Sequence, residues 1–308
     1  MGPTGVGKTA VALELARSLP IEIVSVDSRQ VYRRMDVGTG KPSAEERRRV
    51  PHHVMDVVEP DEPYHAARFV REAEDAIGQI RGRGRWPVLV GGTGLYYRAL
   101  VRGLAPRPPA DAALRERLRR EAEAAGPAAL HRCLGEVDPA AAGRLAATDV
   151  VRVTRALEVA LLTGGPEDPA GARSWGESGP RHPTVTVGLT MERQALYARL
   201  DRRVEGMLAA GLLAEVGALL DAGFAADLPA MQGIGYRHLA AVLTGRARRG
   251  EAVAGMKRDT RRYAKRQWTW FAREPEVTWL QVSPAGIATA VAGINKLIER
   301  LRLFDYPD

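Results

Sequence analysis

Cysteine is almost missing from this chain: Cys133 is the only one in 308 residues. A single thiol excludes an intramolecular disulfide framework and any Cys-rich zinc module, and the expected compartment is the reducing cytosol. No apolar run approaches the ~20 residues that a bilayer helix needs, and no charged-then-apolar leader opens the sequence, so no membrane association is expected. Internal repeats and long low-complexity tracts are absent as well. What remains is ordinary for a globular protein, with 45% apolar and 27% charged residues. At roughly 150 residues per domain, the length accommodates one large domain or a body with a smaller attachment.

Acidic residues are the scarcer charge, 37 against 45 basic ones, which leaves a net charge of +8. Much of the excess is arginine, whose planar fork matches phosphate better than lysine does. A polyanionic partner fits this balance, although charge alone does not separate nucleic-acid binders from other basic enzymes.

Residues 9–19 carry helical spacing, and 21–26 (IEIVSV) read as a short buried strand ending at Asp27. Residues 66–81 look helical, 87–90 (PVLV) form another strand, and a helix is expected from Leu95. Strands alternating with helices predict a P-loop NTPase-like α/β core, whose parallel sheet binds ligands at the carboxyl ends of its strands. The character changes after Pro106, Pro108 and Pro109. Helical segments are expected at 111–125, 127–134 and 148–163, then a Gly/Pro-rich loop at 164–183. A strand at 184–190 returns to the sheet, and helices fill 193–222 and 237–301. The expected division is a core first part, 1–104, a mainly helical insertion, 105–183, and a core second part, 184–308.

Gly2-Pro3-Thr4-Gly5-Val6-Gly7-Lys8-Thr9 satisfies G-x-x-x-x-G-K-[ST] and opens a helix. Its glycines let backbone N–H groups curl around a phosphate, the helix N-terminus adds positive potential, Lys8 neutralises charge and Thr9 supplies a hydroxyl for Mg²⁺. A P-loop ordinarily follows a buried strand, whereas only Met1 precedes Gly2. The expectation is a truncated reading frame, with the strands flanking the lost one left as unpaired edges. Asp27-Ser28-Arg29-Gln30 stands at the end of the next strand, where a carboxylate faces the phosphate crevice. It suits a Mg²⁺-holding acid, a general base or a plain helix cap. Gly91-Gly92-Thr93-Gly94 closes the following strand without an acid, offering amides and the Thr93 hydroxyl instead.

Residues 256–273 (MKRDTRRYAKRQWTWFAR) are the last signal. On a helix, Lys257, Arg258, Arg261, Arg262, Lys265, Arg266 and Arg273 share one half, with Asp259 the only acid among them. Met256, Tyr263, Gln267, Trp270 and Phe271 occupy the other, apolar half. This arrangement suits a phosphate-backbone surface, with Trp268 available to stack on a base. Gln267, on the buried side, needs a polar partner. Arg152 and Arg155 lie one turn apart in the insertion, and Gln232-Gly233-Ile234-Gly235-Tyr236-Arg237 is a Gly-interrupted loop before a helix.

Taken in order, GPTGVGKT (2–9), DSRQVYR (27–33), VGTGKP (37–42), GGTGLY (91–96), RVTRALE (152–158), QGIGYR (232–237) and YAKRQWTWF (263–271) resemble the tRNA dimethylallyltransferase family over nearly the whole chain. The resemblance implies that Gly2, Thr4, Gly5, Val6, Gly7, Lys8 and Thr9 grip the diphosphate of dimethylallyl diphosphate, with Mg²⁺ on Thr9. It implies Asp27 as general base on the exocyclic amine of the adenine 3′ of the anticodon, with Thr93 assisting the leaving diphosphate. The tRNA anticodon stem-loop would meet Asp27, Ser28, Arg29, Gln30, Thr93, Arg115, Arg152, Arg155, Gln232, Gly233, Tyr236, Arg237, Lys265, Arg266, Gln267 and Trp268. The expected enzyme is a cytoplasmic monomer. His238 stands where the family usually has Glu, and Ala272 where it has Arg, with Arg273 next to it. The alternatives are an adenylate isopentenyltransferase acting on AMP, a small-molecule P-loop kinase and a non-catalytic RNA-binding protein. The last two leave GGTGLY with KRQWTW, or a P-loop facing an acid, without a use.

Overall fold

The computed structural model describes residues 1–104, 107–166, 181–274 and 276–301. They form two compact units, Met1–Val101 with Pro183–Asp308, and Arg102–His182. None of the described helices is long and apolar enough to cross a membrane.

In the larger unit, the opening loop ends at Gly7, whose φ of +104° is left-handed and suits glycine alone. That turn caps α1 (Lys8–Leu15), which leads to β1 (Ile21–Val26), buried at every residue. A Ser43/Glu46 capping box starts α2 (Ala44–Arg49), followed by β2 (His52–His53), α3 (Ala66–Gly82), β3 (Trp86–Gly91) and α4 (Gly94–Arg102). β1 lies between β2 and β3, both parallel to it, with Ile23 opposite His52 on one side and Val88 on the other. Asp27 and Thr93 therefore emerge side by side beyond the carboxyl ends of adjacent strands.

The smaller unit holds α5 (Ala112–Ala125), α6 (Pro127–Val137), α7 (Pro139–Arg144) and α8 (Val150–Thr163) around Leu118, Leu130, Leu134, Val153 and Leu157. Glu158, fully buried there, accepts from the Asp111 amide at 2.7 Å, Arg115 at 2.9 Å and Arg155 at 2.5 Å. Burial alone would raise the Glu158 pKa. The two guanidinium groups and the amide outweigh it and hold the carboxyl below its usual range. A depressed folded pKa means the stabilisation is present above the ordinary glutamate range and is lost as pH falls through it. Glu158→Ala is expected to cost about 2–3 kcal/mol in urea unfolding, and the gap from the parent protein narrows at acid pH.

Back in the larger unit, the order is β4 (Thr186–Thr190), α9 (Arg193–Ala209), α10 (Leu212–Asp221), α11 (Tyr236–Leu243), α12 (Arg249–Phe271), β5 (Val277–Gln281) and α13 (Ala288–Leu301). β5 pairs in parallel with β4, Gly188 facing Trp279. The first residue runs beside β4: the Met1 amine donates to the Val187 carbonyl at 2.6 Å, and the Leu189 amide to the Met1 carbonyl at 2.8 Å. One edge of β4 is thus partly paired, while Trp86–Val90 on the outer strand β3 are only half-buried.

Several elements differ from the sequence reading. The helices expected to fill 237–301 are interrupted by β5, because 277–281 (VTWLQ) is short and gains its strand character only by pairing with a segment some ninety residues earlier. The helices expected over 193–222 are present, divided at Gly211 with φ +96°. α1 stops at Leu15, and α7 arises where Asp138 caps a Pro-initiated turn through the Ala141 amide. Of the loop expected at 164–183, residues 167–180 lie outside the described residues.

Candidate active site

Five sequence-distant segments converge on a cavity of about 330 Å³, two of them the end of β3 at Val90 and Gly91 and the helix that carries Arg199 and Arg203. Thr4, Gly5, Gly7, Lys8 and Thr9 line it from the loop, Asp27 and Gln30 from the end of β1, and Thr39, Gly40 and Lys41 from the 36–42 turn. Val6 takes no part in the lining and is buried in the core. Lys8 Nζ donates to the Gly2 and Pro3 carbonyls, both at 2.8 Å. Burial pushes its ammonium down to about 8, the Asp27 carboxylate pulls it up and Arg203 lowers it further.

Asp27 Oδ1 accepts the Arg29 and Gln30 amides at 2.8 and 3.3 Å, which fixes the carboxylate beyond β1. Thr93 Oγ1 accepts the Ser28 amide at 3.0 Å, tying the ends of β1 and β3 together. Arg29 reaches the carbonyls of Pro229 and Ala230 at 2.5 and 3.3 Å. Gln30 accepts from Ser25 at 3.0 Å and donates to the Thr39 and Gly40 carbonyls.

Gln267 finds the polar partners its position demands. Its carbonyl accepts the Thr4 amide at 2.8 Å and its amide donates to the Gly92 carbonyl at 2.9 Å, so one buried side chain braces the phosphate loop against the GGTG turn. Glu215 does the same elsewhere: it accepts the amides of Asp36, Val37 and Gly38 and the Tyr236 hydroxyl, the last at 2.6 Å. Gln267 and Tyr236 were expected at an RNA surface. The structure buries both, because each satisfies backbone or carboxylate groups inside the unit.

Arg199 and Arg203 were not anticipated. Both project from α9 into the cavity, and among the described residues neither forms an ion pair. The Arg203 guanidinium lies so close to Gly40 that a side chain there would collide with it. Burial depresses its pKa while Asp27 raises it. The weak cue in the sequence was RLDRR (199–203) on a helix, which reads equally well as a solvated face.

A second cavity, of about 520 Å³, is lined by Arg98, Arg262, Lys265, Arg266, Thr269, Trp270 and Arg273. The basic face of α12 proves uneven. Asp201 and Glu205 of α9 neutralise Arg261 and Lys257, at 2.6 and 2.5 Å, and Asp259 stands near Arg258 and Arg262. Among the described residues no carboxylate pairs with Lys265, Arg266 or Arg273. Arg237 also pairs with Asp259 at 2.5 Å, and His238 lies between that carboxylate, at 3.3 Å, and the Gly235 amide. Ala272 only ends α12, while Arg273 joins the basic cavity. Trp268 is half-exposed, Gln232 donates to the Ala226 carbonyl at 2.8 Å, and Gly233 packs on Tyr236. In the smaller unit, Arg152 is exposed near Asp149, whereas Arg115 and Arg155 are engaged by Glu158, an acid that also sets their orientation.

A phosphate cradle at a helix N-terminus, a carboxylate facing it and two half-buried arginines alongside define a P-loop enzyme of the group-transfer type. Comparison with known proteins narrows the class. The IPP transferase profile matches residues 30–274, and the isopentenyl transferase profile matches 1–54. The chain is 49% identical over 280 residues to the tRNA dimethylallyltransferase of Geobacter metallireducens, covering 91% of this chain and 90% of that one. It is 49% identical over 300 residues to the tRNA dimethylallyltransferase of Symbiobacterium thermophilum, covering 97% and 93%. Among solved structures, the tRNA isopentenylpyrophosphate transferase of Bacillus halodurans matches with TM-score 0.72 and 39% identity over 99% of this chain and 97% of that one. A eukaryotic dimethylallyltransferase described as acting on tRNA matches with TM-score 0.80 and 28% identity, over 99% and 79%. The chain belongs to the IPP transferase family.

Proposed function

We propose that this chain transfers the dimethylallyl group of dimethylallyl diphosphate to the exocyclic amine of the adenine 3′ to the anticodon in tRNA. The observation that carries the chemistry is the single cavity in which the phosphate loop, Lys8, Arg203 and the Asp27 carboxylate face one another. The diphosphate lies on the loop amides and is neutralised by Lys8, Arg199 and Arg203. Ionisation breaks the bond between the allylic carbon and its diphosphate oxygen, and charge builds on that oxygen, which the Thr93 hydroxyl meets. The adenine amine forms the new C–N bond and gives its proton to Asp27, since an exocyclic amine is too weak a nucleophile without a base. The target base leaves its stack to reach this centre.

The Thr9 hydroxyl, in the first turn of α1, is the protein oxygen available to Mg²⁺ beside the diphosphate's own oxygens. Among the described residues no cluster of three His, Cys, Asp or Glu side chains cages a metal, which fits a hard ion held mainly by substrate phosphates and water. Bound there, Mg²⁺ supplies charge neutralisation for the leaving diphosphate.

The anticodon arm meets the cations of Lys265, Arg266 and Arg273 and the stacking face of Trp268. Replacing Arg262 and Arg266 by Gln is expected to raise the tRNA KM about tenfold, flatten its salt dependence and leave the KM for dimethylallyl diphosphate unchanged. An unaltered salt slope puts the RNA surface elsewhere. The protein acts as a cytoplasmic monomer.

The testing experiment is incubation with labelled dimethylallyl diphosphate, Mg²⁺ and either unmodified tRNA, AMP or neither. Label is expected in tRNA and lost when the adenine 3′ to the anticodon is replaced. Label in AMP alone makes this an adenylate-modifying enzyme.

A further inference from the structure

One wall of the diphosphate cavity is the turn at 36–42, which lines it with Thr39, Gly40 and Lys41. At its start the backbone N–H groups of Asp36, Val37 and Gly38 converge on the Glu215 carboxylate, in the first turn of α10. Successive amides of this kind form a positively polarised nest, which a carboxylate fills with charge-assisted bonds. Glu215 Oε2 accepts Asp36 and Val37 at 2.9 and 2.7 Å, and Oε1 accepts Gly38 at 3.1 Å and the Tyr236 hydroxyl at 2.6 Å. An ionised carboxylate has about four lone-pair sites, and these donors fill them. Glu215 is therefore an anchor.

Gly38 lies against the Tyr236 ring and Gly40 against the Arg203 guanidinium, so closely that a Cβ on either would overlap its neighbour. From the cavity side the turn is gripped less firmly. Gln30 donates to the Thr39 and Gly40 carbonyls at 3.4 and 3.3 Å, long for N–H···O bonds. Lys41 closes the turn on itself through Asp36 at 2.7 Å and fastens its far end to Asp56 at 2.5 Å. Arg203 is on α9 and Glu215 on α10, two helices joined through Gly211. The same pair of helices thus carries the cation and the group that fixes the backbone it leans on.

We propose that Glu215 is a positioning residue for diphosphate capture: by filling the amide nest of residues 36–38 it sets Gly40 against the Arg203 guanidinium and aims that cation at the diphosphate. This role rests on the diphosphate site proposed above. An arginine side chain loses much rotamer freedom when it is held in one place. Packed on Gly40, Arg203 has undergone that loss before the substrate arrives, and preorganisation of this kind raises affinity. Neither Glu215 nor Tyr236 lines the cavity, so an effect of either on diphosphate binding is transmitted through the turn. Tyr236 contributes one of the four bonds and the ring on which Gly38 rests.

The test is Glu215→Gln, which keeps the side-chain volume but turns one acceptor oxygen into an NH₂ facing other donors. The readouts are calorimetric binding of inorganic diphosphate with Mg²⁺ and steady-state transfer of labelled dimethylallyl to tRNA. The diphosphate Kd and the KM for dimethylallyl diphosphate are expected to rise about 5- to 20-fold, with kcat and the tRNA KM within about twofold. In an Arg203→Ala background the same substitution is expected to change these two constants less than about twofold, since the group it acts through is gone. Where that background binds diphosphate too weakly to titrate, the KM alone is compared. Tyr236→Phe deletes one bond and keeps the ring on Gly38. It is expected to shift the same constants about 2- to 5-fold, and it carries the test if Glu215→Gln does not fold. Unchanged constants in the folded variant overturn the proposal, as does an equal factor in both backgrounds. A loss confined to kcat and thermal stability overturns it too, since a turn that only supports the fold behaves that way. A parent protein that binds no diphosphate takes down the proposed function and this inference together. A parent that binds diphosphate but prenylates no tRNA loses the proposed acceptor and leaves the binding test of Glu215 intact.

Discussion

Asp27→Ala is expected to lower the rate of prenyl transfer by about 10²–10⁴-fold, the range a positioned base contributes, with dimethylallyl diphosphate still bound. The carboxylate is held by the Arg29 and Gln30 amides at the end of a buried strand and faces Lys8 and Arg203 across the cavity. Its removal takes the carboxylate from the junction of the phosphate loop and the Thr93 turn. The Asp27 side chain also caps the turn that follows β1, so Asp27→Asn is the companion variant: it keeps acceptor oxygen for both amides but cannot take a proton. Both variants are expected to fold, judged by thermal melting, and both to lose transfer. A near-normal rate in folded Asp27→Asn removes Asp27 from the role of base.

Arg203→Ala is expected to reduce kcat/KM for dimethylallyl diphosphate by more than 100-fold, since truncating one side of a buried, hydrogen-bonded charge pair costs about 3 kcal/mol. The guanidinium is partly buried against Gly40 with no ion pair among the described residues, and the Asp27 carboxylate offsets only part of its desolvation cost in the free protein. An anionic substrate supplies the rest. The same reasoning predicts that Arg203→Ala unfolds at a temperature equal to or above that of the parent when no diphosphate is present, because a stranded charge has been removed. With inorganic diphosphate added, the parent gains more stability than the variant. A variant that binds diphosphate as tightly as the parent, measured calorimetrically, excludes Arg203 from the cradle. Arg203→Lys is expected to recover part of the affinity but not the forked geometry.

How much of this was legible before the fold was known differs from group to group. Lys8 and Thr9 were readable because a P-loop is contiguous: eight residues carry the turn, the amides and the cation, and the helix that follows is local. Asp27 and Thr93 were readable because both directly follow apolar runs, and residues at the carboxyl ends of parallel strands collect at one edge of a sheet. Arg203 was not, since an arginine on an amphipathic helix looks the same whether it faces water or a cavity. Glu215, which gathers three amides of the 36–38 turn and the Tyr236 hydroxyl, gave no sign for the same reason. The basic face of α12 was read in full, but the acids that neutralise Lys257 and Arg261 come from α9, some fifty to sixty residues earlier.

The amino-acid order by itself therefore determined the phosphate loop, the carboxylate and hydroxyl at neighbouring strand ends and the basic helix, and with them the family. Each is written in consecutive residues or in a helix period, where chain geometry forces side chains together. Tertiary structure alone decided which cations enter the cavity, that Gln267 and Tyr236 brace loops from within, and that Arg115 reaches Glu158. Those pairings join residues 21 to 263 positions apart, and their partners are chosen by packing and desolvation rather than by any local pattern.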